Sequence, residues 1–289
     1  MSKLEPATLR RYQERGLYDV ASAKAVFDDS FIAHVSYIDD GYPACQPMLT
    51  LIREEEVEGD ETEGDAEGET SETSGLAPRK TAYAYLHGHP TSRLMELVKK
   101  AGKDAEAEEA TNGTNGVNGV NGNGHAAEPV KVCITATKID GLVLSSAPNG
   151  HSFNYRSAIL HGTCEQVRDK ALKKQIMHEV TDKIVPNRCA EVNPMASIVT
   201  SMVYIIRVKI DRLSVKARTG VPGIQPRNVE VDGPNVEPLA WAGVVPMWEQ
   251  LGEPVDAGLT PGASVSDNLK NFIVERNAKH AAHAKRVAK

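Results

Sequence analysis

Apolar and polar residues alternate along much of this chain with a period near two, the spacing of strands buried on one face. The pattern runs through "FIAHVSYI" (31–38), "TAYAYL" (81–86), "VKVCITATKI" (130–139), "NYRSAILHGTCEQV" (154–167) and "MVYIIRVKI" (202–210). Asp39-Asp40-Gly41 leads into "PACQPMLTLI" and Asp140-Gly141 into "LVLSSA", so each pair of runs predicts a hairpin. Gly162, inside the longest run, predicts a bulge. "LSVKAR" (213–218) and "WAGVVPMWEQ" (241–250) add extended pieces. The period changes to that of a helix at 22–30, after Pro90, from about Asp169 to Ile184 ahead of Pro186, and through the C-terminal "DNLKNFIVERNAKHAAHAKRVAK". Seven or eight strands with two or three outer helices predict a mainly β fold, an antiparallel barrel.

Two segments break the pattern and read as insertions in one domain. Arg53 to Leu76 is acidic with few large apolar residues, and Lys103 to Glu128 contains an Asn-Gly tract. Neither can bury enough surface to order itself, so both are expected to be disordered loops. The organisation expected is therefore a single domain over 10–265, interrupted at 53–76 and 103–128, with a basic helical tail at 266–289. Charge supports this division. The net charge is −6, yet eleven acids lie between Glu54 and Glu72 and five between Asp104 and Glu128. Without the first group the balance is +5 and without both it is +10, half of it in the tail from Lys270 onward. A mildly basic folded part suits a small anionic ligand better than a long nucleic acid.

The 289 residues, 40% of them hydrophobic, suffice for one large core or two small ones. No run approaches the length of a membrane helix, and the N-terminus lacks the apolar stretch of a secretory signal, so a cytoplasmic protein off the membrane is expected. Cys45, Cys133, Cys164 and Cys189 have no CxxC spacing and are expected to be free, mostly buried thiols. His87 and His89 share a strand face but lack a further ligand motif, and are read as non-metal.

The chemistry is densest where "TAYAYL" passes into "HGHPTSRLMEL" (87–97). Leu94, Leu97 and Val98 mark one face of a helix that Thr91 or Ser92 can cap. A helix N-terminus beside a hydroxyl and a guanidinium can cradle a phosphate. An ordinary N-cap with a solvated arginine would leave the same signature. No Ser-His-Asp or Cys-His grouping offers a nucleophile.

The order "YLHGHPTSRLMELV", "VCITATKIDGLVLS", "NYRSAILHG", "KARTG" and "WAGVVP" resembles the flavin-nucleotide-binding proteins of the pyridoxamine 5'-phosphate oxidase-like superfamily, in the branch that includes nitroimidazole-resistance proteins. The resemblance covers about Arg10 to Gly262 apart from the two insertions. It implies an FMN-binding split barrel, a homodimer with the flavin at the interface, and FMN-dependent hydride transfer through flavin N5 with a small organic substrate. Ser92 and Arg93 match the pair that contacts the FMN phosphate. Gln46 to Thr50, including Pro47 and Thr50, match the segment beside the isoalloxazine ring. Thr135 and Thr137 share one strand face, and either reaches the flavin or is an ordinary strand residue. Ser157 matches a polar flavin contact. Lys216 and Arg218 share a face and are placed near the ring, where a cation would stabilise reduced flavin, unless they form a solvated strand face. Trp241, at the start of "WAGVVP", is placed to cover one flavin face. His151 is read as a loop histidine rather than a proton donor. The "RxH"-type ending that binds substrate phosphate in the oxidases is absent, which disfavours pyridoxamine phosphate as substrate. The alternative is a non-catalytic flavin- or haem-binding module. His280 and His283 have a spacing that suits iron, but "AKHAAHAKR" reads as a solvated basic helix.

Overall fold

The computed structural model describes residues 7–57, 79–112, 128–223 and 240–289. Strands β2 (Ala33–Asp39), β3 (Tyr42–Met48), β4 (Thr50–Val57), β5 (Arg79–Gly88), β6 (Lys131–Leu144), β7 (Ser152–Gln166) and β8 (Tyr204–Arg218) form an antiparallel sheet in the order β3-β2-β6-β7-β8-β5-β4. The two-residue β1 (Gly16–Leu17) pairs with the end of β8, and β9 (Gly243–Pro246) pairs with β6. Strands β3 and β4 lie at opposite ends of this order, yet Leu49 alone separates them. One residue can join the two edges only if the sheet curls round on itself, so the barrel is closed by the chain at Leu49 and open along the diverging strands. The mainly β antiparallel barrel read from the period of two holds, as does the split barrel that the resemblance implies.

The "PACQPMLTLI" run is therefore two strands divided at Leu49. The second expected hairpin does not form: Asp140-Gly141 lies inside the continuous strand β6, as a register shift between Ile139 and Gly141. β7 and β9 pair with this stretch on either side, so ladder bonds on both edges hold it extended and the turn signal is spent as a bulge. Likewise "MVYIIRVKI" and "LSVKAR" are one strand, β8. The bulge expected at Gly162 is present, with the register shifting between His161 and Gly162. A Cβ there would lie 2.2 Å from the Lys209 carbonyl oxygen, so the backbones approach too closely for any side chain.

The inward faces of β2 to β8 bury Val35, Ile52, Ala84, Leu86, Ile134, Ala158, Leu160 and Ile206 against Phe27 of α1 (Val20–Asp29) and Leu94 and Met95 of α2 (Arg93–Asn112). Helix α1 starts two residues before the expected segment, because Asp19 rather than a serine caps it, accepting from the Ser22 amide at 2.8 Å. A second cluster lies outside the sheet, where Leu51, Tyr83, Tyr85 and Ile205 pack under Ile176 and Val180 of α3 (Lys170–Ile184). Short helices α4 (Arg188–Glu191) and α5 (Ser197–Met202) lead back to β8. β4 continues to Val57 and α2 to Asn112, so the outer parts of both expected insertions belong to regular elements. The rest of the insertions lies outside the described residues. Among the described residues no helix is long and apolar enough to cross a membrane. All four cysteines are free, but only Cys164 is buried and Cys45 is exposed, contrary to the expectation of mostly buried thiols.

The C-terminal helix α6 (Asp267–Val287) differs most from its sequence reading. His280 is buried, and His283 is also turned inward. The helix lies against a charged end of the barrel. There Arg156 donates two bonds of 2.9 Å to Asp140 and one of 2.6 Å to Asp29, while Lys279 reaches Asp29 at 2.8 Å. Lys138 pairs with Glu249, and Arg276 donates to the Asp29 carbonyl and stacks on Phe31. His280 Nε2 is 3.9 Å from Asp29, and His283 Nε2 is 3.5 Å from Asp140. The basic, low-hydropathy tail is thus not a solvated helix, because the barrel supplies carboxylates that match it.

This docking predicts acid sensitivity. Burial, then Arg276, lowers the pKa of His280, and burial, then Arg156, lowers that of His283. In the unfolded chain both take up protons near the ordinary histidine value of about 6.5. The unfolded state therefore binds more protons below that value, and stability present above pH 6.5 is lost as pH falls through the lower folded values. For Asp29 burial works against ionisation, but Lys279 and Arg156 outweigh it and bring its carboxyl to about 2. Its contribution is complete above its ordinary value of 3.8 and is lost as pH falls through about 2. Melting temperature should fall between pH 7 and pH 5, and less so in a His280→Leu/His283→Leu variant. Equal pH slopes in the two proteins would remove the histidines as the cause.

Candidate functional site

Strand periodicity gathers part of the expected site on the outward face of the sheet. His34 pairs with Pro47 on β3 and with Thr135 on β6, and Thr135 pairs with Ile159 on β7. The adjoining row runs Thr137, Ser157, Lys216 and Gly16 across β6, β7, β8 and β1. The Thr137 hydroxyl donates to Ser157 Oγ at 3.3 Å. Pro47, Thr135, Ser157 and Lys216 thus share one surface, with the hydroxyls of Thr135, Thr137 and Ser157 at its centre. Alternate positions on the same strands face inward as Val35, Ile134, Ala136 and Ala158, all buried. This is why the polar residues are held in fixed positions on a rigid floor.

The remaining expected residues are placed elsewhere. Thr50 is 2% exposed and faces the interior, with a buried hydroxyl that has no hydrogen-bond partner. Ser92 Oγ, at the start of α2, is also buried without a partner. It lies beside Gly88, where a Cβ would come within 3.8 Å of it and 3.0 Å of the Met95 methyl. The Arg93 side chain is 54% exposed but paired. Its guanidinium donates two bonds, of 2.7 and 2.6 Å, to the Asp39 carboxylate at the end of β2, and this pairing raises the Arg93 pKa and lowers that of Asp39.

Lys216 and Arg218 share a face as expected, but both already have partners. Lys216 Nζ donates to the Arg11 carbonyl at 2.9 Å. Arg218 bonds Asn154 and approaches the Gly220 and Val221 carbonyls, while Asn154 binds the Val287 carbonyl at the end of α6. Burial, then Arg15, lowers the Arg218 pKa. Its geometry is that of a tie between β7, β8 and the C-terminal helix rather than of a free cation.

Trp241 is 66% exposed and packs over Gly243, which pairs with Leu144. Nine residues along β6 separate Leu144 from Thr135, roughly 30 Å of extended strand. A single flavin ring within one chain does not span that distance. His151 is exposed and contacts the Ala147 carbonyl at 3.1 Å, in keeping with a loop residue.

Two features escaped the sequence reading. A groove of about 450 Å³ opens beside the polar rows and is lined by Ser36, Cys133, His161 and Arg212 among others. Cys133 pairs with both Ser36 and His161, and His161 with Arg212, so these residues form a third row parallel to the other two. Burial raises the Cys133 pKa, and burial, then Arg212, lowers that of His161, so both are neutral near pH 7. The period of two that placed Thr135 and Ser157 on one face also placed Cys133 and His161 there. The cross-strand register that makes them neighbours had no local signal. The second feature is the N-terminal segment, whose Arg11, Tyr12 and Arg15 sit at the edge of this face, fixed by β1.

Comparisons with known proteins agree with this architecture. A family model described as pyridoxamine 5'-phosphate oxidase matches residues 119–217, which include β6, β7 and most of β8. The flavocytochrome from Azotobacter vinelandii superposes with a TM-score of 0.62 at 22% identity, covering 91% of this chain and 94% of its own. The FAD- and haem-binding protein from Mycobacterium smegmatis gives 0.61 at 20% identity, with coverages of 90% and 97%. No curated protein matches the chain significantly. Barrel, register and the match over residues 119–217 together make the chain similar, in its central strands, to pyridoxamine 5'-phosphate oxidase-like proteins.

Proposed function

We propose that this chain is a flavoprotein that holds FMN over the outward face of β2, β3, β6, β7 and β8, and that it exchanges hydride with a small organic molecule. The observation that carries the reading is the pair formed by a rigid hydroxyl floor and the buried, unpartnered Ser92 hydroxyl at the start of α2. A buried polar atom without a partner is costly, and a phosphate oxygen at a helix N-terminus is a fitting one. Two structural neighbours that align over nine-tenths of the chain are a flavocytochrome and an FAD- and haem-binding protein, which supports the flavin.

A bound flavin supplies hydride acceptance and donation at N5. The residues of the chain position it. Thr135, Thr137 and Ser157 offer hydroxyls to its polar edge, Pro47 and the β3 backbone border it, and Ser92 with Arg93 hold the phosphate end. Arg93 reaches the phosphate by exchanging or sharing its bond to Asp39. A second copy of the chain completes the site in this reading. Phe153 and Val245, 50% and 44% exposed, flank Leu142 in an apolar row farther along β6 and β7, beyond the row of Ile139, Tyr155 and Arg218. Apolar surface of this kind gains by being covered.

Haem is the second reading, favoured by those same two neighbours. His280 and His283 do not support it as an axial pair, since each faces a carboxylate in packed surroundings. The visible spectrum of the purified protein, with mass identification of the released cofactor and a solution mass, tests these statements together. Two flavin bands, FMN and a dimer are expected. A Soret band alone would replace the flavin reading, and a Soret band beside flavin bands would add haem to it.

A further inference from the structure

The N-terminal edge of the site gathers cations around one aromatic ring. Arg15 Cζ lies 4.2 Å from the centroid of the Tyr12 ring, Arg11 Cζ 4.8 Å and Lys216 Nζ 5.7 Å. The two guanidinium carbons are therefore no more than about 9 Å apart. Arg11 also donates to the Tyr12 hydroxyl at 3.1 Å. Among the described residues one acid contacts the group, Glu14 at 3.7 Å from Arg15, and it is 68% exposed, which leaves the pair weak. Tyr12 has φ 55° and ψ 53°, a left-handed conformation that is costly for a residue with a bulky side chain. The strained residue is held in place on both sides, by pairing of Gly16 with Lys216 and by the bond from Lys216 to the Arg11 carbonyl.

Like charges concentrated on a fixed, strained turn call for an anion. We propose that Arg11 and Arg15, framed by Tyr12 and Lys216, bind the diphosphate of an adenine dinucleotide. Two guanidinium forks within about 9 Å match two neighbouring phosphates, which arginine binds through paired N–H donors. The cluster is compact, whereas a nucleic acid would need a longer track of cations. Lys216 is the direct cross-strand partner of Ser157, so the corner adjoins the proposed flavin floor. The adenosine diphosphate unit belongs to a nicotinamide dinucleotide that delivers hydride to the flavin, since a flavin whose phosphate is held by Ser92 and Arg93 does not place that phosphate at this corner. Its role as hydride donor rests on the flavin reading above.

Equilibrium binding of FMN, FAD, NADPH and ADP to the full chain, wild type and Arg11→Gln/Arg15→Gln, tests the proposal. Melting temperatures confirm that both proteins are folded. ADP is expected to bind wild type, to weaken as salt rises, and to lose roughly ten- to a hundredfold in the variant. FMN affinity should not change, and NADPH should lose affinity in parallel with ADP. A loss for FAD without one for NADPH would overturn the nicotinamide assignment. Equal ADP, FAD and NADPH affinities in the two proteins would overturn the corner while leaving the flavin reading intact. Absence of FMN and FAD binding with arginine-dependent ADP binding would have the reverse meaning.

Discussion

Replacing Arg156 with methionine is expected to lower the unfolding free energy by about 3–5 kcal/mol, the cost of leaving buried charges without their partner. The Arg156 side chain is 18% exposed and its partners Asp29 and Asp140 are 15% and 7% exposed. The three side chains share one planar set of donors, two bonds to Asp140 and one to Asp29. Methionine fills much of the same space but supplies none of these bonds, so two carboxylates would remain in the barrel end with Lys279 and the more distant Lys138 as compensation. The loss should be larger at pH 7 than near pH 3, where the orphaned carboxylates can take up protons. Denaturant unfolding of Arg156→Met beside Arg207→Met provides the comparison. Arg207 also bonds a carboxylate, Glu165 at 2.7 Å, but both side chains are at least one-third exposed and the pair should contribute under about 1 kcal/mol. Equal effects of the two substitutions would show that the charged barrel end is no more than a surface network.

Arg93→Ala is expected to weaken FMN binding roughly ten- to a hundredfold while leaving riboflavin binding almost unchanged, since only FMN offers a phosphate to a charge-assisted bond. The structure adds a condition to this expectation. Arg93 is held by Asp39, so Asp39→Asn should release the guanidinium and either strengthen FMN binding or leave it as it is. If Arg93 only fastens α2 to the β2–β3 hairpin, both substitutions should instead affect melting alike and leave the difference between FMN and riboflavin untouched. Fluorescence titration of both ligands against the three proteins separates these results.

Much of the barrel was legible because a strand buried on one face needs a period of two, and that need acts on neighbouring residues. "FIAHVSYI", "TAYAYL" and "NYRSAILHGTCEQV" each became a strand, and Gly162 became the bulge that its lack of a side chain allowed. Pro47, Thr135, Ser157 and Lys216 came to share a surface for the same reason, because alternation fixes the face of every residue once the strand is known. Asp140-Gly141 failed as a turn signal because pairing on both sides of β6 outweighed a local preference of two residues.

What the sequence by itself determined about this protein was thus its strand content, the inward or outward direction of each residue, and the order of motifs that carries the family resemblance. Only the tertiary structure decided which side chains meet. The pairing of Arg93 with Asp39, the row of Cys133, His161 and Arg212, the contact of Lys216 with Tyr12, and the docking of His280 and His283 against Asp29 and Asp140 all join residues far apart in the chain. The physical reason is that alternation is a local constraint whereas partner choice depends on register and on how a curled sheet brings its ends together. A lysine- and arginine-rich tail is equally suited to solvent and to a carboxylate-lined surface, and the barrel end supplied the second.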